Sequence, residues 1–351
     1  MPEGNAFSVP AMPAVENLNA PRDQDGNTYL HELCAQGAPP ALIRAAVAKG
    51  ASLQSLNKQK MPPLGVAILK GSAETVACLL DLGAEVFFVA AKRPRPDAPD
   101  VVFNAAYLAA VEGTPEKLAA VLARGGALHV NAPGIDADGS SQQLHALHGA
   151  LRRSHLQFID TLVDAGAFVD GTAGFENITP LAVAIGHNNA SIVTRIVRLG
   201  AEIELRHPAT GNTPLLYAAT GDKGFAGEAL LKAGADPNVF NRASQTPLML
   251  AAQAGNARLL VALIRAGAKL DTKSFDGKTA LMIAAEKSNV EVVTLLVKAG
   301  ADPLLTDKFN KTAAALADAK NVNWAIRNTL EEAEKTALMR GFEKAYKNFR
   351  P

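Results

Sequence analysis

The chain has 351 residues, 48% of them hydrophobic but only 5% aromatic, so its interior is built largely from Ala, Leu, Val and Ile, which lets helices pack closely. With 35 basic against 34 acidic residues it has no global field for nucleic acid or an anionic membrane, and partners of those kinds need a local cluster. Its two cysteines, Cys34 and Cys78, sit in no Cys-x-x-Cys or Cys/His spacing, which argues against a disulfide framework or a zinc site and for reduced surroundings.

Residues 1–24 contain four of the 20 prolines and no helical apolar pattern, so they read as a flexible arm. The first residues lack a basic stretch followed by an apolar core, and no run approaches the length of a membrane span. The expectation is a soluble chain without a Sec-type export signal. Four degenerate helical units follow: Leu30-His31 with Gly50-Ala51, Pro63-Leu64 with Gly83-Ala84, Ala109-Ala110 with Gly125, and Leu147-His148 with Gly166-Ala167. Beyond them the pattern becomes regular. Thr179-Pro180-Leu181, Thr213-Pro214-Leu215, Thr246-Pro247-Leu248, Thr279-Ala280-Leu281 and Thr312-Ala313 recur at steps of 34, 33, 33 and 33 residues. From each of Leu181, Leu215, Leu248 and Leu281 to the next Gly-Ala pair is always 19 residues.

Each element of the repeat has a mechanical reason. Thr caps the free N–H groups of a helix start, and Pro fits the first helical position, where its missing N–H would be unpaired anyway. Leu248, Ala251 and Ala252 lie on one face of a first helix; Leu259, Leu260, Leu263 and Ile264 line a second. Gly267 then supplies the left-handed residue that ends it, and a short extended finger leads to the next Thr.

These motifs and their period resemble the ankyrin repeat, a turn-plus-two-helices unit, over nearly the whole chain. The resemblance implies an all-α ankyrin-repeat solenoid of about nine helix-turn-helix units with β-hairpin fingers and a C-terminal capping helix. The boundaries expected are an arm over 1–24, the array over 25–333 and a helical extension over 334–351. The first and last units are expected to lack the full motif, as end caps facing water on one side do. Gly83 to Gly125 is 42 residues and Gly125 to Gly166 is 41, which predicts long fingers near 86–101 and 128–143. Val86, Phe87, Phe88 and Val89 are expected to hold the pair together, with Lys92, Arg93 and Arg95 facing Asp136 and Asp138. A closing helix is predicted from about Val322 to near Phe349, with Ile326, Leu330, Ala333, Ala337, Leu338, Phe342, Tyr346 and Phe349 as one apolar stripe. Its first half covers the end of the array; its second half folds back as a further cap or docks on a partner.

His145, His148 and His155 could be read as a metal cluster, and His31 with Cys34 as a base and nucleophile. The resemblance gives a simpler account of both. His31 and His148 fall at the histidine of the ankyrin motif, His155 follows the interhelical turn, and Cys34 replaces a small core residue. No Gly-rich phosphate loop, GxSxG or HExxH is present, so no catalytic, metal or cofactor site is expected. Ankyrin proteins commonly bind other proteins through their concave face and fingers, which predicts a non-enzymatic scaffold or adaptor. Candidate contact residues are Phe175, Phe240, Phe275 and Phe309 in one row of fingers, and Lys92, Arg93 and Arg95 in the first long finger. The alternatives are a bacterial effector acting on a host protein, by analogy alone, and an enzyme with a site hidden in the insertions or the C-terminal region. The partner expected is a protein, with no nucleic acid and no membrane insertion. The compartment expected is the cytoplasm, or the host cytoplasm for an effector. The oligomeric state is not specified by the sequence.

Overall fold

In a computed structural model of the chain, the residues described are 13–14, 17–91, 101–134, 144–173, 178–318 and 324–348. They form eighteen helices paired in chain order and one two-stranded sheet, divided into two compact units over residues 1–180 and 181–351.

The first unit holds the pairs α1 (Tyr29–Ala35) with α2 (Pro40–Ala48), α3 (Pro63–Lys70) with α4 (Ala73–Asp81), α5 (Ala105–Glu112) with α6 (Pro115–Ala123), and α7 (Ala146–Arg152) with α8 (Ile159–Asp164). The second opens within α9 (Pro180–Gly186), which pairs with α10 (Ala190–Arg198). It continues with α11 (Pro214–Ala219) and α12 (Gly224–Lys232), α13 (Pro247–Ala254) and α14 (Ala257–Arg265), and α15 (Ala280–Glu286) and α16 (Val290–Ala299). It ends on α17 (Ala313–Asp318) and α18 (Trp324–Asn348). Within each unit first helices stack on first helices and second on second, as in α1 on α3 on α5 on α7, and α10 on α12 on α14 on α16.

Composition explains the layering. A first helix has neighbours on several sides and is apolar nearly all round: α13 buries Pro247, Leu248, Met249, Leu250, Ala251 and Ala252. A second helix is covered on one face only, and α14 buries Leu259, Leu260 and Leu263. Each such leucine contributes about 1.5–3 kcal/mol on burial. Thr213, Thr246, Thr279 and Thr312 cap their helices as expected, each Oγ1 accepting from a backbone N–H three residues on at 3.3–3.4 Å. Gly267 and Gly300 stand at φ +86° and +96°, the left-handed region that ends α14 and α16 and that a Cβ disfavours.

Four expectations are refined or revised. The first unit lacks the full motif, with Tyr29 where Pro stands elsewhere, yet Thr28 still caps α1 in a reciprocal box with His31. The arm does not extend to residue 24, because Leu18 is fully buried and Asn19 donates to Gly50 O (2.9 Å) while accepting from Ser52 N (2.7 Å). Asn238 ties its own finger to Gly267 O and Lys269 N in the same way, so residues 17–24 are the finger of a repeat. Among the described residues the fingers are mostly turns rather than hairpin strands; the first long finger forms a ladder, β1 (Phe87–Ala91) antiparallel to β2 (Val101–Asn104), and Ala173 pairs with Ile178 in an isolated antiparallel bridge. The second long finger opens instead as a short 3-10 helix, Gly126–His129.

The fourth revision concerns α18, whose apolar residues do not make one stripe. Ile326 and Leu330 are fully buried on α16 and α17, whereas Leu338 is 49% and Met339 65% exposed. Ile326, Leu330, Ala333 and Ala337 step by four, three and four residues and hold one face. The next apolar residue, Leu338, comes only one position later and so lies about 100° around the helix.

Candidate functional site

In the second unit the fingers share one construction. Each closes through a backbone pair, Asn241 N to Gln245 O (3.1 Å), Ser274 N to Lys278 O (2.9 Å) and Asp307 N to Lys311 O (3.0 Å). Asn241 and Asp307 reinforce it, each Oδ1 accepting two backbone N–H groups of its own turn at 2.8–3.0 Å. Consecutive fingers are also tied together. Arg242 N donates to Thr210 O (3.4 Å), Lys308 N to Asp276 O (3.2 Å), the Arg206 guanidinium to Phe240 O (2.8 Å) and Lys273 Nζ to Thr306 O (2.7 Å). An open cleft of about 370 Å³ lies between two of them, lined by Arg242, Gln245, Ser274, Phe275 and Asp276.

On this bonded frame Phe240, Phe275 and Phe309 are 59%, 70% and 76% exposed, so these rings do not fold under their own fingers. They are not register-equivalent: Phe240 precedes its turn residue Asn241, Phe275 follows Ser274, and Phe309 comes two after Asp307. The result is a staggered set rather than a strict row. Lys308 Nζ lies 4.0 Å from the centroid of the Phe275 ring, a cation–π contact that orders one tip against the next. Arg258 covers Phe225 in the same way at 3.9 Å, and Lys223 lies 4.8 Å from Tyr217. Phe175, Lys92, Arg93 and Arg95 lie outside the described residues, as do Asp136 and Asp138.

In the first unit the two long fingers are joined by residues that the sequence reading passed over. Asn104 is buried and takes the place of the capping threonine, its Oδ1 accepting from Ala106 N (3.0 Å) and Tyr107 N (3.1 Å). Its amide N–H groups reach across to the second finger, to His129 O and Ala132 O at 2.9 Å and Pro133 O at 3.3 Å. Phe87 stacks flat on His129, with centroids 4.6 Å apart and planes within 4°. Of the four residues expected to hold the fingers together, Phe87 does so through its ring, whereas Val86 closes only the first finger, its carbonyl accepting from Ala105 N (2.8 Å).

The histidines are engaged in packing. His31 Nδ1 lies 3.1 Å from Thr28 N and Nε2 lies 3.1 Å from Met61 O, so the ring links two fingers; burial lowers its pKa and the Met61 carbonyl offsets part of that. His148 Nε2 lies 2.8 Å from Ile178 O, and burial lowers its pKa to about 4. His155 Nδ1 is 3.1 Å from Ala110 O and its ring faces Phe158, while His145 meets His148 edge to face at 5.4 Å. Among the described residues no three His, Cys, Asp or Glu converge as metal ligands. Cys34 is fully buried and burial pushes its thiol pKa far up, which opposes formation of a nucleophilic thiolate. No helix of the described residues is long and apolar enough to cross a membrane.

Comparison with known proteins agrees with this construction. The family model for ankyrin repeats matches residues 147–241 and 222–307. The B-cell lymphoma 3 protein homolog of Mus musculus is 33% identical over 166 residues, 46% of this chain and 33% of that protein. The E3 ubiquitin-protein ligase KEG of Arabidopsis thaliana is 25% identical over 238 residues, 64% of this chain but 14% of the ligase. The chain therefore spans a third or less of the length of these relatives.

Proposed function

Taking as premise that the chain is an ankyrin-repeat protein, we propose that it is a non-enzymatic scaffold or adaptor that binds a partner protein through the fingers and first helices of its second unit. Ankyrin repeats serve protein–protein interaction, and the ligase chemistry in one relative's name does not come with a match to 14% of that protein. One observation carries the site: Phe240, Phe275 and Phe309 stand exposed on fingers hydrogen-bonded to their neighbours before any partner arrives. Buried aromatic anchors dominate interface energies, and a frame already ordered pays less entropy on binding. The cations beside them, Arg206, Arg242, Lys273 and Lys308, add a polar rim.

The experiment is affinity capture by the full chain followed by mass spectrometry, repeated with single Phe→Ala variants at 240, 275 and 309. A partner recovered by the wild type and depleted by the variants, at unchanged thermal stability, supports the assignment. Variants that melt several degrees lower yet keep the partner would make these rings structural and overturn it.

A further inference from the structure

The distal half of α18 has a job that the repeat array does not give it. At 25 residues α18 is far longer than the 6 to 10 of the other helices. Its first half is a lid: Ile326 and Leu330 are fully buried on α16 and α17. Past Ala337 that arrangement stops. Lys335, Thr336, Leu338, Met339 and Arg340 are all exposed, and the positions that continue the buried face, four, three and four residues on from Ala333, are Ala337, Arg340 and Lys344. A face that goes on as Arg and Lys does not seat on an apolar repeat.

A new apolar face begins at Leu338 and is carried by Phe342, Ala345 and Tyr346, four, seven and eight residues on. With 100° per residue these positions fall within one third of the helix circumference, turned by more than 90° from the seam of Ile326 and Leu330. Arg340, Lys344 and Lys347 occupy the opposite side. Charge is segregated here as well. Residues 335–350 hold Lys335, Arg340, Lys344, Lys347 and Arg350 against Glu343, a net +4, while the whole chain is +1, so the remaining residues carry −3. The cations are concentrated on a helix segment whose described residues Lys335, Thr336, Leu338, Met339 and Arg340 are exposed, whereas the net charge of the rest of the chain is repelled by anions.

We propose that the distal half of α18 is an interfacial anchor that lays this chain on an anionic lipid surface, with Leu338, Phe342 and Tyr346 toward the acyl chains and the cations held in the headgroup field. A basic helix with a compact aromatic and aliphatic face and a low mean hydropathy has the composition of in-plane membrane binding, not of a membrane span. The occupant is set by charge complementarity: a surface of uniform negative charge engages Arg340, Lys344 and Lys347 at once, each raising the partition about fivefold. This goes beyond protein binding by the fingers and stands or falls separately from it.

The test is flotation of the full chain with extruded vesicles of phosphatidylcholine alone or with one quarter phosphatidylserine, near 0.1 M salt, with thermal melts as a fold control. The wild type floats with the phosphatidylserine vesicles and not with phosphatidylcholine alone. Phe342→Glu abolishes flotation at an unchanged melting temperature, and Lys344→Gln with Lys347→Gln weakens it about thirtyfold. Equal binding to neutral vesicles, no binding to either, or binding that survives Phe342→Glu would overturn the proposal. So would capture of an acidic protein by this helix without any vesicle binding.

Discussion

Lowering the pH from 7.5 to 5 tests the packing of the fourth repeat through His148. This ring is fully buried, donates from Nε2–H to Ile178 O at 2.8 Å, and has at Nδ1 a buried nitrogen without a hydrogen-bond partner. Burial first, with the nearby His145 adding to it and the Ile178 carbonyl opposing it, lowers the pKa from 6.5 to about 4. A base depressed in the folded state binds fewer protons than in the unfolded chain between those two values, so stability is complete above the unfolded pKa and is lost as pH falls toward the folded one. The full difference is about 3 kcal/mol, of which about 2 kcal/mol is gone by pH 5. His148→Gln keeps an N–H for Ile178 O and cannot titrate. Denaturant midpoints measured across this range should therefore converge, the wild type losing about 2 kcal/mol more than the variant. Parallel losses in the two proteins would mean that His148 is not held neutral by burial.

Asn104→Ala removes the side chain that caps α5 and grips the second long finger, and costs about 3 kcal/mol; hydrogen exchange at residues 126–134 should quicken well beyond that in the other fingers. Thr246→Ala and Thr279→Ala each cost about 1 kcal/mol in denaturant unfolding, because both remove the same cap. Gly267→Ala meets no atom within 4 Å of the new Cβ, so its cost of about 1 kcal/mol in the same assay is purely that of φ +86°.

The period was legible because its marks are local. A Thr that caps its own helix and a Gly that ends it recur through the regular half, and the glycines keep the phase in the degenerate copies, so phase alone located the nine helix pairs. The exposed Phe240, Phe275 and Phe309 were legible as candidates, but their stagger was not, since it depends on where each finger turns. Asn104 and His129 were missed for a different reason: they act between fingers 25 residues apart, and an Asn before a helix reads simply as a cap. Thr28 was hidden because Tyr29 stands where the motif has Pro. The change of face in α18 was present in the spacing, yet a list of apolar residues at threes and fours conceals one step of a single residue. Burial of Leu330 against exposure of Leu338 exposes that step.

On the reading proposed above, the finger frame of the second unit is a preformed protein-binding surface. Titration calorimetry of the captured partner with the wild type and with the triple variant Phe240→Ala/Phe275→Ala/Phe309→Ala tests it most directly. The account predicts a melting curve close to that of the wild type and an affinity lowered by about a hundredfold or more, since exposed side chains contribute little to the fold and aromatic anchors much to an interface. An unchanged affinity in a variant that remains folded would contradict it.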